Sequence, residues 1–563
     1  MKTPSSQINS TPIAYEKHIA LAGLSFLLLM LVVIIALPLW SLLSKSMQNA
    51  NGNFVGLDNF ITYFSTPVLV QALSNSFSVA IITTMIVVPL AFLYAYGLTR
   101  SCMPFKNMMV GISLLPIFAP SLLSAISLIY LFGNQGFLKT ILGGQSIYGP
   151  IGIIASEVCY CFPHAVMIIA TALRLSDGRL YEMADALGTT RIRKFYTITL
   201  PGARYGLISA AFVVFTLVIT DFGIPKVIGG QFNVLATDAY KQIVGQQNFS
   251  MGAVVALVLL LPAIFAFFVD RHIQRKQMAL LTARSVPFIP QPDILRDTLF
   301  FIYTCMIGLM LVTMLGVAIW ASFIKYWPYN LSLTLANYEF EEFDVGGWKP
   351  YFTSLKMAAL VAVFGTALIF SGAYLIEKLK DHPKLRAAAH FFAMLPMAVP
   401  GLVLGLGYVF FVNAKWNPLN IFYGTLTVLV VNTIAHFYTV SHITAITALK
   451  QIDNEFEAVS ESLKVPFWQT FRRVTVPISM PAIIDIAVYM FVNALTTISS
   501  VIFLYGPSTK LASIAVVHMD EAGATAAAAG MATCIVITAI TAKVLCVFVD
   551  HYLLSRLQNW RAR

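Results

Sequence analysis

Twelve apolar stretches alternate with polar segments along the chain, at about 19–43, 73–99, 107–133, 149–173, 203–227, 251–270, 298–324, 353–376, 388–413, 421–448, 479–505 and 525–549. Each carries few charges and is long enough to cross a bilayer, which takes about 20 apolar residues in a helix. Backbone groups in lipid must be paired within the segment, so the pattern predicts helices. The first run follows about 18 polar residues and lacks a small-residue cleavage site. It is read as a retained helix rather than a signal peptide.

Two polar segments break this pattern in the same way. "EMADALGTTRIRKFYTITLPG" begins at Glu182, and "EAVSESLKVPFWQTFRRVTVPI" begins at Glu457. Just before the first, Ser176 and Asp177 are helix N-cap candidates. Leu180, Met183, Ala184 and Leu187 then recur at helical spacing, which predicts a short amphipathic helix. Gly188 can end that helix in the left-handed conformation. A second short helix, "RIRKFYTITL", is expected to stop at Pro201, at the start of the next apolar run. Two short helices around a glycine make a compact protrusion from the membrane.

The 563 residues are 58% hydrophobic and only 11% charged, whereas soluble domains carry about a quarter charged residues. The fold class is therefore an all-α integral membrane protein. The net charge of +11 does not point to nucleic acid. With the N-terminus cytoplasmic and sides alternating, 26 of the 36 Lys and Arg fall on the cytoplasmic side. That is the positive-inside bias, and it places both termini and both polar segments in the cytoplasm. Six cysteines, including Cys159 and Cys161 in one apolar run, lie in or beside apolar stretches. They read as small packing residues, and no spacing suggests a metal site.

The polar segments belong to a longer duplication. With Pro201 set over Pro477, "TALRLSDGRLYE" (171–182) overlies "TALKQIDNEFEA" (447–458), and Leu187, Phe195 and Phe215 meet Leu463, Phe471 and Phe491. Upstream, "LLPIFAP" (114–120) matches "MLPMAVP" (394–400). The chain divides into two halves of six helices, 1–270 and 298–563, joined by a basic linker at 271–297. An even helix number gives both halves the same orientation, as parallel repeats about an axis along the membrane normal.

The first polar segment resembles a known family. E-x-A-x-x-x-G, nine residues, then I-x-L-P is similar to the cytoplasmic "EAA" loop of binding-protein-dependent ABC importer permeases. Glu182, Ala184, Gly188, Ile198, Leu200 and Pro201 match it in register, after the fourth helix of the half. In the second half Lys464 stands where the glycine belongs and Ala458 where the glutamate belongs, with Glu457 one residue early. Leu463 and Pro477 keep register, while Val474 and Val476 replace the Ile and Leu. Lysine enters a left-handed turn less cheaply than glycine, so the second turn is expected to differ.

The resemblance implies two fused permease domains of an inner-membrane, multi-pass importer subunit. It implies that segments 175–201 and 451–477 insert as coupling helices into a cytoplasmic ATPase dimer, and that an extracytoplasmic substrate-binding protein docks on the outer face. The long outer loops 44–72 and 325–352, with the acidic "YEFEEFD" (338–344), are then docking candidates. No G-x-x-x-x-G-K-[ST] loop occurs in the sequence. ATP and Mg are therefore expected on the partner, and this chain is expected to be a transporter subunit, not an enzyme, with no cofactor of its own.

Ionisable groups inside the bilayer are functional candidates by default. Asp221 and Asn493 lie in the fifth helix of each half, which lines the translocation pathway in the family, and Glu157 lies in the fourth. An ion pair of Asp221 with Lys226 is the alternative for that residue. His164, His436 and His442 read as hydrogen-bonded packing residues. The segments "ITDFGIPKVIGGQFNVLATDAYKQIVGQQNFSMGA" and "EFEAVSESLKVPFWQTFRRVTVP" look most like permeases for 2-aminoethylphosphonate, with ferric iron second and polyamine or thiamine behind. A phosphonate calls for cationic groups, and Lys226 is the nearby one. A secondary transporter also has two parallel six-helix halves, but has no use for paired coupling loops. A membrane enzyme would need convergent catalytic groups.

Overall fold

The computed structural model describes residues 11–549 apart from 281–285, 287, 380 and 454. The termini assigned above to the cytoplasm, 1–10 and 550–563, and part of the linker therefore lie outside the described residues. The first half consists of α1 (His18–Ser46), α2 (Pro67–Arg100), a pair α3 (Lys106–Phe118) and α4 (Ser121–Phe132), α5 (Pro150–Arg174), the short α6 (Gly178–Ala186), α7 (Arg191–Thr220) and α8 (Phe249–Ile273). The second half follows in the same order. It runs α9 (Ile294–Ser322), α10 (Lys349–Glu377), α11 (Pro383–Ala398) and α12 (Gly401–Val412), α13 (Leu426–Lys450), the short α14 (Glu455–Ser462), α15 (Phe467–Ile478) and α16 (Met480–Thr496), and α17 (Thr525–Val549). Among the described residues nine helices are long and apolar enough to cross a membrane, or twelve with each bent pair counted as one span.

The twelve apolar runs are present, but the third span of each half is bent, and proline explains the bends. Between α3 and α4 the chain turns by 98°, and between α11 and α12 by 113°. Pro120 (φ −54°, ψ 141°) and Pro400 (φ −55°, ψ 143°) stand at the two breaks in the same extended conformation. Proline has no N–H to continue the ladder, and it pushes the residue before it out of the helical region. Ala119 and Val399 are extended accordingly. The fifth spans also end earlier than the apolar pattern suggests. Helix α7 stops at Thr220 and α16 at Thr496, followed by Asp221 (ψ 136°) and Thr497 (ψ 141°).

Pro201 does not end a helix, contrary to expectation. Helix α7 runs through it because the preceding turn, Phe195–Thr199, is widened, with Leu200 N–H bonding Phe195 O. A widened turn leaves room for a residue that cannot donate. The same turn recurs 276 residues on, at Phe471–Thr475, ahead of Pro477. There the second half adds a further break, a 78° bend between α15 and α16 where Pro481 follows.

The first helix of each half packs on the other half. Helix α1 lies against α12, where the Tyr408 hydroxyl donates to Ile34 O at 2.7 Å, and against α10, where Leu27 meets Gly372. Reciprocally, α9 lies against α2 and α3: the Tyr303 hydroxyl donates to Leu90 O at 2.8 Å, and Phe300 seats on Gly97. Lipid supplies no hydrophobic drive between helices, so close approach at small residues carries the packing. A methyl on Gly407 would stand 2.8 Å from Pro38 O of α1. Gly407→Leu is expected to push α1 away at a cost of about 1–3 kcal/mol, read as a lower midpoint of thermal unfolding in detergent. Gly111→Leu, whose site is open, should leave the midpoint in place.

Candidate functional site

The two polar segments fold alike. Asp177 caps α6, accepting from Arg179 N–H at 3.1 Å, and Asp453 accepts from Glu455 N–H at 3.0 Å at the start of α14. The Arg179 guanidinium and N–H, then the Val286 N–H, hold the Asp177 carboxyl below the usual carboxylate range. Ser176, the other cap candidate, instead bonds Leu173 O. Gly188 (φ 65°) and Lys464 (φ 54°) both stand in the left-handed region. Their neighbours close the same turn: Thr189 N–H bonds Ala184 O at 2.9 Å, and Val465 N–H bonds Ser460 O at 2.8 Å. The expected difference between the turns is therefore not found. The hydrogen bonds that end the helix hold the lysine backbone in a region that costs it energy.

Both segments expose apolar side chains at matching places. Leu180, Met183, Leu187 and Ile192 in the first correspond, 276 residues on, to Phe456, Val459, Leu463 and Trp468, and all eight are exposed. Leu187 is 80% exposed and Leu463 69%. Glu182 and Ala458 also face outward, while Ala184 is buried. Ile198 and Leu200 are half-buried, and Pro201 and Pro477 are exposed. Exposed apolar side chains gathered on one face mark an interaction site.

The roots of the segments are held by buried cations. Arg100, at the end of α2, donates to Leu173 O at 2.7 Å and to Ser176, and lies over the Tyr181 ring. The Tyr181 hydroxyl in turn bonds Thr199 at 2.9 Å. Lys378, at the end of α10, donates to Ile452 O at 2.9 Å and pairs with Glu457 at 3.4 Å. Glu457 therefore occupies the position of Tyr181 and faces the root. It is not a displaced copy of Glu182. The shift in sequence register reflects a different anchoring chemistry.

A cavity of about 380 Å³ lies between the halves. The helix breaks converge on it: Ala119, Ser121, Asp221 and Gly223 from the first half, and Val399, Gly401, Thr497 and Ser499 from the second. Each half closes the same internal contact, with glycine and serine swapped between the two positions. A methyl on Gly223 would meet the Ser121 hydroxyl, and one on Gly401 would meet the Ser499 hydroxyl. Asp221 lines the cavity and accepts from Ile224 N–H at 2.8 Å. Asn493 also lines it, donating to Tyr489 O at 2.8 Å.

Glu157 does not line the cavity. It is fully buried behind the wall, with Cys161 Sγ 3.7 Å from Oε2. Lys226 does not pair with Asp221 either. It pairs with Glu521 of the second half and sits 4.6 Å over the Tyr240 ring. His164 and His436 line the cavity, whereas His442 lies against His390 at 3.2 Å. Their spacing along α5 and α13 does not distinguish the cavity side from the packed side. Asp270 adds a second carboxyl, bonded to Ser209, and no lysine or arginine is among the described lining residues. On the opposite side, Asp344 of the acidic stretch is tied to Lys510.

The arrangement is that of a membrane protein with twin halves around a cavity and a matched pair of exposed apolar faces. Residues 87–278 and 369–559 each match the family described as binding-protein-dependent transport system inner membrane component. These matches cover more than half of the chain, and the chain belongs to this family. A Haemophilus influenzae protein, named as a ferric transport system permease, is 27% identical over 471 residues, 80% of this chain and 74% of its own length. The ferric transport system permease protein of Actinobacillus pleuropneumoniae is 26% identical over 479 residues, 81% and 67% of the two chains. A spermidine/putrescine permease homolog of Mycoplasma genitalium is 26% identical over 226 residues, 40% of this chain and 76% of its own.

The left-handed turns give a direct test. Lys464→Gly should stabilise α14 by about 1 kcal/mol, and Gly188→Lys should destabilise α6 by a similar amount. Backbone hydrogen exchange across 459–465 and 183–189 would respectively slow and quicken. Unchanged exchange in both would contradict the shared turn.

Proposed function

We propose that the chain is the membrane permease of an ATP-driven importer, multi-pass in the inner membrane with both termini cytoplasmic. A cytoplasmic ATPase dimer docks on the exposed faces of α6 and α14, and a substrate-binding protein docks on the opposite face. ATP and Mg stay on the ATPase, and the solute crosses through the cavity between the halves. The observation that carries this reading is the matched set of exposed apolar side chains, Leu180/Phe456, Met183/Val459, Leu187/Leu463 and Ile192/Trp468. A secondary transporter would have no partner for these faces.

The solute is proposed to carry a positive group. Asp221, Asp270 and several hydroxyls line the cavity, and the described lining offers no lysine or arginine to an anion. Ferric iron is favoured by the fused relatives named for it. The second reading, 2-aminoethylphosphonate, is favoured by the likeness of segments 219–253 and 455–477 to its permeases. Its ammonium would suit Asp221 and the Tyr160 and Tyr489 walls. None of the relatives named above is named for a phosphonate. With Lys226 bound to Glu521, the phosphonate end would rely on hydroxyls.

Leu187→Glu with Leu463→Glu should leave the chain in the membrane but abolish co-purification of the ATPase encoded beside it. Uptake should fall to background. Labelled ferric iron and 2-aminoethylphosphonate, offered separately to cells carrying the complete system, would decide the solute. Undiminished uptake in the double variant would overturn the docking assignment.

A further inference from the structure

The linker between the halves lies against the root of the first docking segment. Val286 O accepts from Gly178 N–H at 2.8 Å, and Val286 N–H donates to Asp177 at 3.3 Å. The Phe288 ring meets Tyr181 with centroids 4.5 Å apart. The Arg100 guanidinium sits over both rings, 4.4 Å from Phe288 and 4.9 Å from Tyr181. Arg100 is only 3% exposed. A planar cation removed from water holds two aromatic faces firmly. Further along, Asp293 pairs with Arg191 at 2.6 Å, at the start of α7. Cys102 N–H donates to Asp297 at 2.9 Å, just beyond the end of α2. The linker and the first turn of α9 thus touch the end of α2 and the starts of α6 and α7.

We propose that Arg100 and Phe288 are positioning residues of a clamp that ties the first coupling helix, α6, to the end of α2. Movement imposed on α6 then reaches the membrane through α2 as well as through α7. In the second half the corresponding root is held by the Lys378–Glu457 ion pair, so the two coupling helices are anchored by different chemistry and driven unequally. Val286 and Phe288 lie between the two stretches that match the family, so their part of the clamp belongs to the join between the halves. The proposal rests on reading α6 as an ATPase-docking helix.

The test uses the complete complex of permease, ATPase and binding protein in liposomes. Phe288→Ala and Arg100→Lys should keep normal membrane abundance and bound ATPase, yet lower the solute moved per ATP hydrolysed by about fivefold or more. Phe288→Tyr, which keeps the ring, should restore the ratio. A wild-type ratio in Phe288→Ala overturns the clamp, as does a loss that Phe288→Tyr fails to restore. Loss of abundance or of bound ATPase in Phe288→Ala also overturns it, because the ring would then serve folding or docking. Leu187→Glu is measured alongside. If it keeps its ATPase and its transport, the docking assignment fails whatever Phe288 does.

Discussion

Every backbone N–H and C=O inside a bilayer must find a partner, because lipid offers none. That constraint decides where this chain is allowed to leave the helical conformation at membrane depth. Four such breaks, at Pro120, Asp221, Pro400 and Thr497, lie beside or in the wall of the cavity between the halves. Asp221 supplies a side-chain acceptor to the freed N–H of Ile224. In the second half the Ser500 carbonyl is taken by Asn432 and the Thr497 carbonyl by Ser513. Breaks sited anywhere on the lipid face would have no such partners. The cavity and the breaks are therefore one feature, and polar groups such as Tyr160, His164 and His436 gather around it.

The same helices connect this cavity to the exposed apolar faces of α6 and α14. Helix α7 begins at Arg191, beside the exposed Ile192, and ends at Thr220, next to Asp221 in the cavity wall. If α6 docks the ATPase as proposed, one continuous helix leads from that segment to the break. In the second half the corresponding path is bent between α15 and α16. The two halves share a plan but differ in stiffness and in anchoring. The reciprocal packing of α1 and α9 on the opposite halves keeps them from separating.

Much of this was legible in the sequence. Apolar length marked the spans. The repeat marked the halves, and Asp177, Gly188 and the spacing of Leu180, Met183 and Leu187 marked the short helix α6. The proline pairs that made the repeat visible also bend the third spans, but apolar length alone reads straight through them. Three things were hidden because they depend on which groups meet in the folded chain. Lys464 adopts a glycine's conformation because the turn's hydrogen bonds pay for it. Glu457 looked like a slipped motif residue until Lys378, 79 residues away, was seen to hold it. Lys226 lies five residues from Asp221, the pairing offered as the alternative for that residue, yet its partner Glu521 belongs to the other half. Hydropathy likewise says that α1 crosses the membrane, but not that it packs on the second half.

The proposed function requires that the cavity between the halves open to one side at a time under control of the ATPase. The direct measurement is thiol labelling of Asn493→Cys in a chain whose six native cysteines are replaced. An impermeant reagent would be applied from each side of the membrane, without nucleotide and with ATP trapped on the ATPase. The account predicts labelling from the side of the docking segments without nucleotide and from the opposite side with ATP trapped. Labelling from the same side in both states, or a switch that needs no ATPase, would contradict it.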